Sequence, residues 1–237
     1  MDDTERRNAT TPIRRHQIRA ALLKQYAGLI YDDDLKSYDQ HGYEQRFMSR
    51  ALTAAAIRAV TGCDRRTACL SVIDGELDQG IDGVAVTEGT QEVWLAQAKW
   101  SDEGKGKFNT DAAHKFIHGL RLIEQRSYDR FNDRLDPIVA RVNSAMHDAR
   151  LKVTLVIAVM GTGVLSDEVV AVLEDARKEF NGLGPVLDYR VVNAAHVLRQ
   201  DQEDLAPVPV RVTVRMTNWL KRNTPLVAYQ GTGQQHR

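Results

Sequence analysis

The sequence predicts an α/β fold, a central mixed β-sheet flanked by helices on both faces. Three observations predict it. Ile81 to Lys99 reads as a two-stranded hairpin preceded by an Ala- and Leu-rich helical stretch. Leu151 to Met160, LKVTLVIAVM, is an almost uninterrupted β-branched run, the mark of a strand buried on both faces. From there strand, helix and strand alternate, which is how a parallel layer is written in sequence.

Composition narrows the function classes. With 237 residues, 43% of them hydrophobic and 27% charged, the chain can build one large domain with a substantial core. Lys plus Arg equal Asp plus Glu at 32 each, so the chain has no overall basic excess with which to coat nucleic acid, and such contact would need a local basic groove. Cys63 and Cys69 form no CxxC pair and no zinc spacing, and read as reduced, buried thiols. MDDTERRNATTPIRR lacks the apolar core of a signal peptide and no run approaches transmembrane length, so the expected location is cytoplasmic, with no membrane partner.

Residues 1–12 are polar and expected to be a disordered tail, with a single domain over 13–229 and a polar tail over 230–237. From Ile13 to Ile30 apolar residues keep helical spacing, with Pro12 where a first turn accepts it. Arg14, Arg15, Arg19 and Lys24 occupy its other faces, as a solvated amphipathic surface or as a phosphate-contacting arm. Asp32, Asp33 and Asp34 begin a loop or acidic cap and read as solvated carboxylates, not a metal site. Tyr43 to Val60 is a stronger helix closed by Gly62. Glu44 lies on its apolar stripe with Met48, Ala51, Leu52 and Ala55, either to complement the helix dipole or to carry a carboxylate toward the core. Asp64 caps a short helix that leads to an Asp74-Gly75 turn.

The hairpin register follows from its turn. If Gly89-Thr90 is a two-residue loop of type II′, Val86 faces Val93, Val84 faces Leu95 and Asp82 faces Gln97. Directly opposed residues share a face, so Gln97 and Lys99 would flank Asp82 at the end away from the turn, unless a one-residue bulge shifts them.

After Lys99, the Gly/Lys loop Ser101 to Asn109 offers Lys105 and Lys107 as phosphate contacts. Helical segments follow at Thr110 to Ser127 and Arg130 to Ala149, the second interrupted at Asp136-Pro137. His114 and His118 share a helix face but have no third ligand nearby, and read as surface or packing residues. Gly161-Thr162-Gly163 is a turn, since no GK[ST] follows. Ser166 caps the next helix, which closes at Asn181-Gly182. Val186 to Val192 forms another strand, Asn193 caps a short helix, and Val208 to Met216 alternates as a final strand.

An acid, a strand-borne gap, then acid or amide, x, Lys resembles the PD-(D/E)XK nuclease superfamily. Here it stands as Gly80-Ile81-Asp82-Gly83 and Gln97-Ala98-Lys99, similar to the Mrr-like branch, in which Gln replaces the second acid. With the preceding Asp74-Gly75-Glu76-Leu77-Asp78-Gln79, the phrase resembles the N-terminal part of the AIPR, abortive-infection phage-resistance, family. The resemblance implies a restriction-endonuclease-like core and a metal-dependent nuclease of anti-phage defence, acting on DNA with Mg²⁺ or Mn²⁺. It implies Asp82 as a metal ligand, Gln97 as a neutral carbonyl ligand, Glu44 or Asp78 as the second carboxylate, and Lys99 as the group that orients water. Gln in place of an acid implies weaker metal affinity. Family members continue beyond such a module, so a shortened member, a piece of a longer protein, or a non-catalytic nucleic-acid-binding module is the alternative. A homodimer is the default oligomeric expectation.

Overall fold

Four strands, β1 (Gly83–Thr87), β2 (Glu92–Lys99), β3 (Lys152–Val159) and β4 (Leu187–Asn193), lie side by side in that order in the computed structural model, which describes residues 11–87, 89–193 and 196–197. β1 pairs antiparallel with β2, and β2–β3 and β3–β4 are parallel, so the sheet is mixed as expected. Six α-helices accompany it among the described residues: α1 (Pro12–Tyr26), α2 (Gln40–Thr61), α3 (Arg65–Leu70), α4 (Thr110–Glu124), α5 (Asp136–Met146) and α6 (Asp167–Phe180). All described residues fall within one unit, Met1–Leu205. The expected strand Val208 to Met216, the tail over 230–237 and nearly all of the tail over 1–12 lie outside the described residues.

Alternation along the strands divides the core in two. On one face Trp94, Ala96 and Ala98 of β2 join Val156 and Ala158 of β3 against Met48, Ala51, Leu52 and Ala55 of α2. Alanines on both sides of this contact let the helix lie close to the sheet. On the other face Val93 and Leu95 join Val153, Leu155 and Ile157 against Phe116, Ile117 and Leu120 of α4, with α5 and α6 completing the layer. Helices on both faces leave β3 buried from Val153 onward, which is why its sequence is continuously apolar.

Local chemistry sets the element ends. Asp39 caps α2 by accepting from the Gly42 N–H, and Gly62 ends it at φ +72°, as a C-cap glycine should. Asp64 caps α3 through the Thr67 N–H, and Asn193 accepts from the His196 N–H at 3.2 Å. The expected long helix over Arg130 to Ala149 is instead two short 3₁₀ turns, Tyr128–Arg130 and Asp133–Leu135, followed by α5. Pro137 stands in the first turn of α5 rather than interrupting a helix, because its missing N–H costs nothing there. No helix among the described residues is long and apolar enough to cross a membrane.

Candidate metal centre

The hairpin register is the expected one: Val84 opposes Leu95 and Val86 opposes Val93. The turn differs. Gln91 takes φ +57° and leaves the strand, so Thr87 and Glu92 are the last pair and the connection runs over residues 88–91. Thr87 still opposes Glu92 as the expected register requires, so the longer connection leaves the register unchanged.

At the opposite end the ladder bulges. Gly83 is the partner of Ala96, yet the Asp82 N–H also donates to the Ala96 carbonyl at 2.8 Å, so two residues oppose one. Asp82 is thereby turned from the position across from Gln97. Its Oδ2 accepts from the Ala98 N–H at 2.7 Å, where the ladder's next backbone carbonyl would otherwise stand. The carboxylate is thus fixed at the strand edge by one charge-assisted hydrogen bond, with 6% of the residue exposed.

Residues 73–82 loop out and close on themselves. The Asp82 carbonyl accepts from the Ile73 and Asp74 N–H groups, and the Ser71 carbonyl from the Val84 N–H, so the excursion begins and ends in one short ladder. Asp78 organises its tip: its two oxygens accept from the Gly75 and Gly80 N–H groups at 3.2 and 2.8 Å. Gly80 adopts φ +79° and lies against the backbone of Lys115, where a Cβ would sit 3.0 Å from the Lys115 carbonyl carbon; here glycine is required on both counts. Asn132 donates to the Ile73 and Glu76 carbonyls at 2.8 and 3.0 Å, and Gln79 to the Arg130 carbonyl at 2.7 Å. The 3₁₀ segment after α4 therefore serves as the floor of this loop.

The outcome is a cluster of three carboxylates. Asp74, Asp78 and Asp82 each offer one oxygen within 4.8 Å of the others. Burial holds the Asp82 carboxyl well above the usual carboxylate range, and the charges of Asp74 and Asp78 add to it; the Ala98 N–H and the Lys99 charge oppose. Asp74 is raised by burial as well, against the opposing charge of Arg50. Lys99 ends β2 half-buried, with its charge acting on Asp82. Gln97 is 4% exposed, and its Oε1 is buried with no hydrogen-bond partner among the described residues. Alternation places Gln97 and Lys99 on the β2 face of Val93 and Leu95.

A divalent cation fits this donor set. Mutually repelling carboxylates in a desolvated position are relieved by a cation, and hard divalent cations take oxygen donors. Asp82 and Asp74 each have one oxygen committed to a hydrogen-bond donor, Oδ2 in both cases, and the buried Gln97 Oε1 has no hydrogen-bond partner among the described residues. Asp78 has both oxygens engaged in backbone bonds and acts first as a turn cap.

The remaining expected site residues are placed as follows. Glu44 lies outside the carboxylate cluster: it pairs with Arg19 and accepts from Gln40, and these partners hold its carboxyl below the usual range. Helix α2 reaches the cluster through Arg50 instead, six residues further on. Lys105 pairs with Glu103 at 3.0 Å and Lys107 is exposed; both ride on a loop tied to the strand ends by the Gly106 N–H, which donates to the Met160 carbonyl. The loop comes so close that a Cβ at Gly106 would lie 2.3 Å from the Lys99 carbonyl oxygen. Asp32, Asp33 and Asp34, expected to be solvated, are partnered by Tyr43, Lys36 and Arg50 respectively.

Asp74, Arg50, Asp34 and Arg134 escaped the sequence reading. Asp74 was visible as a turn residue and as part of the phrase that resembles the AIPR family, not as a site residue. Arg50 left a signal, being the one charged residue between Phe47 and Ala56 in an otherwise apolar and small-residue helix segment. No protein-family model, no curated protein and no solved structure matches the chain.

Proposed function

We propose that this protein is a metal-dependent nuclease that hydrolyses phosphodiester bonds, with DNA as substrate, and that Asp74, Asp82 and Gln97 hold the cation. The observation that carries this reading is the convergence of the three carboxylates beside the strand that presents a buried, unpartnered Gln97 carbonyl and the Lys99 ammonium. The PD-(D/E)XK and AIPR resemblance supports the same chemistry, a restriction-endonuclease-like core and an anti-phage role in the cytoplasm.

A bound Mg²⁺ or Mn²⁺ supplies Lewis acidity toward a phosphoryl oxygen and lowers the pKa of water. The chain's own residues do the rest. Asp82, locked by the Ala98 N–H, fixes where a phosphate must approach the strand edge. Lys99 cannot ligate; its Nζ donates only, and so stabilises negative charge on the attacking or departing oxygen. Lys105 and Lys107, on the loop packed over the Lys99 backbone, are candidates for flanking phosphate contacts.

Incubating plasmid DNA with purified protein in Mg²⁺, Mn²⁺ or EDTA, beside Asp82→Ala, tests the proposal. Cleavage that needs the metal and disappears in the variant is expected. Folded wild-type protein that cleaves neither DNA nor RNA with either metal overturns it.

A further inference from the structure

Arg50 is the most deeply buried charge in the described residues, at 1% exposure, and all five of its N–H donors have an acceptor. Nη1 donates to the Tyr31 carbonyl at 2.8 Å and to Asp34 Oδ1 at 2.7 Å. Nη2 donates to Asp34 Oδ2 at 2.6 Å and to the Asp74 carbonyl at 2.7 Å, while Nε donates to Asp74 Oδ2 at 3.1 Å. One guanidinium thus grips Asp74 at both its main chain and its side chain. Asp34 closes the other side of the fork in bidentate fashion, and also accepts from Arg134 at 3.0 Å, whose Nη1 reaches the same Asp74 carbonyl. Two arginines and one aspartate therefore fix a single residue of the acid cluster.

Resting on the metal reading above, we propose that Arg50, braced by Asp34, is the positioning residue of the metal centre: it immobilises Asp74 so that its second carboxylate oxygen is presented to the cation. The fork geometry makes this more than charge balance. A planar guanidinium can satisfy Asp34 bidentately while its Nε holds Asp74; a lysine ammonium carries the same charge but cannot span these acceptors. Charge alone acts the other way, because a cation beside a cation site weakens metal binding. Positioning and neutralisation consequently predict opposite results.

The test is Mn²⁺ binding to the full chain, by isothermal titration or by the EPR signal of free Mn²⁺, for wild type, Arg50→Lys and Arg50→Met, with circular dichroism to establish folding. Positioning predicts Mn²⁺ affinity about 10- to 100-fold weaker in both variants, the scale for residues that orient a metal ligand. It also predicts that any cleavage by Arg50→Lys recovers at higher Mn²⁺, since the reacting groups are intact. Unchanged affinity in Arg50→Lys with tighter binding in Arg50→Met would show that Arg50 acts only as a charge, and would overturn the proposal while leaving the metal centre standing. If the Arg50 variants do not fold, Asp34→Asn decides: several-fold weaker Mn²⁺ binding is expected, and unchanged affinity overturns the proposal. Wild-type protein that binds no Mn²⁺ overturns the metal reading and this inference together.

Discussion

Helix α2 carries two carboxylate–arginine groups, one turn and a half apart, and they are built in contrasting ways. At Arg50 the cation is 1% exposed and every donor is used, with Asp34 and Asp74 as its anions. At Glu44 the partner Arg19, which also pairs with Asp102, is 28% exposed in its side chain, Asp102 42%, and the acid itself 35%. Arg19, Gln45 and the Trp100 indole all converge on Asp102, so this second group staples the loop after β2 to α1 and α2. The first reaches the acid cluster; the second holds a loop. The exposure of the cation decides how much each matters, because water screens the group around Arg19 more than the one around the buried Arg50.

The sharpest test of that contrast lies at the cluster itself. Asp82→Ala should reduce metal-dependent cleavage to background and weaken Mn²⁺ binding, both measurable on folded protein. Lys99→Ala is expected to lower the cleavage rate by about 100- to 1,000-fold, the scale of a lost electrostatic donor. Its Mn²⁺ affinity should not fall, because Lys99 is no ligand; weaker binding in titration would contradict that role.

Stability separates the two groups next. Arg50→Met strands Asp34 and Asp74 without their shared cation and should cost about 3 kcal/mol in urea unfolding, the lower end for a broken buried pair because both acids keep some exposure. Ionisation of Asp82 adds a pH signature. Its carboxyl is raised in the folded chain by burial first and by Asp74 and Asp78 after, so the native state retains a proton that the unfolded chain has lost. In metal-free protein that contribution is fully present below the ordinary carboxylate value of 3.8 and is lost as pH rises through the raised native value. The stability of wild type relative to Asp82→Asn should therefore decline in EDTA as pH rises above the ordinary carboxylate value of 3.8; a difference that grows with pH would reverse the assignment. Glu44→Gln sets the lower bound. Its unfolding midpoint and Mn²⁺ affinity should match wild type, and a loss of affinity would return Glu44 to the ligand set that the family resemblance implies.

Much of the frame was legible in the residues. The Val84–Leu95 and Val86–Val93 pairs follow from alternation, which is fixed once two β-rich runs flank a short turn, and an error in turn type that is symmetric about the loop does not move them. The Asp64 and Gly62 caps were visible because capping is a contact between near neighbours. The site was half legible. Asp82, Gln97 and Lys99 could be singled out by strand position, but the bulge that turns Asp82 onto the Ala98 N–H could not, since a bulge depends on how the loop 73–82 closes.

The sequence by itself determined the hairpin, the two-faced sheet and which strand bears the amide and the ammonium, because periodicity and capping act over a few residues. Only the tertiary structure decided which acids meet and what holds them. Asp34, Arg50, Asp74 and Arg134 come from four separate segments spread over 100 residues, and their association rests on one guanidinium fork meeting acceptors that the folded backbone alone brings within reach.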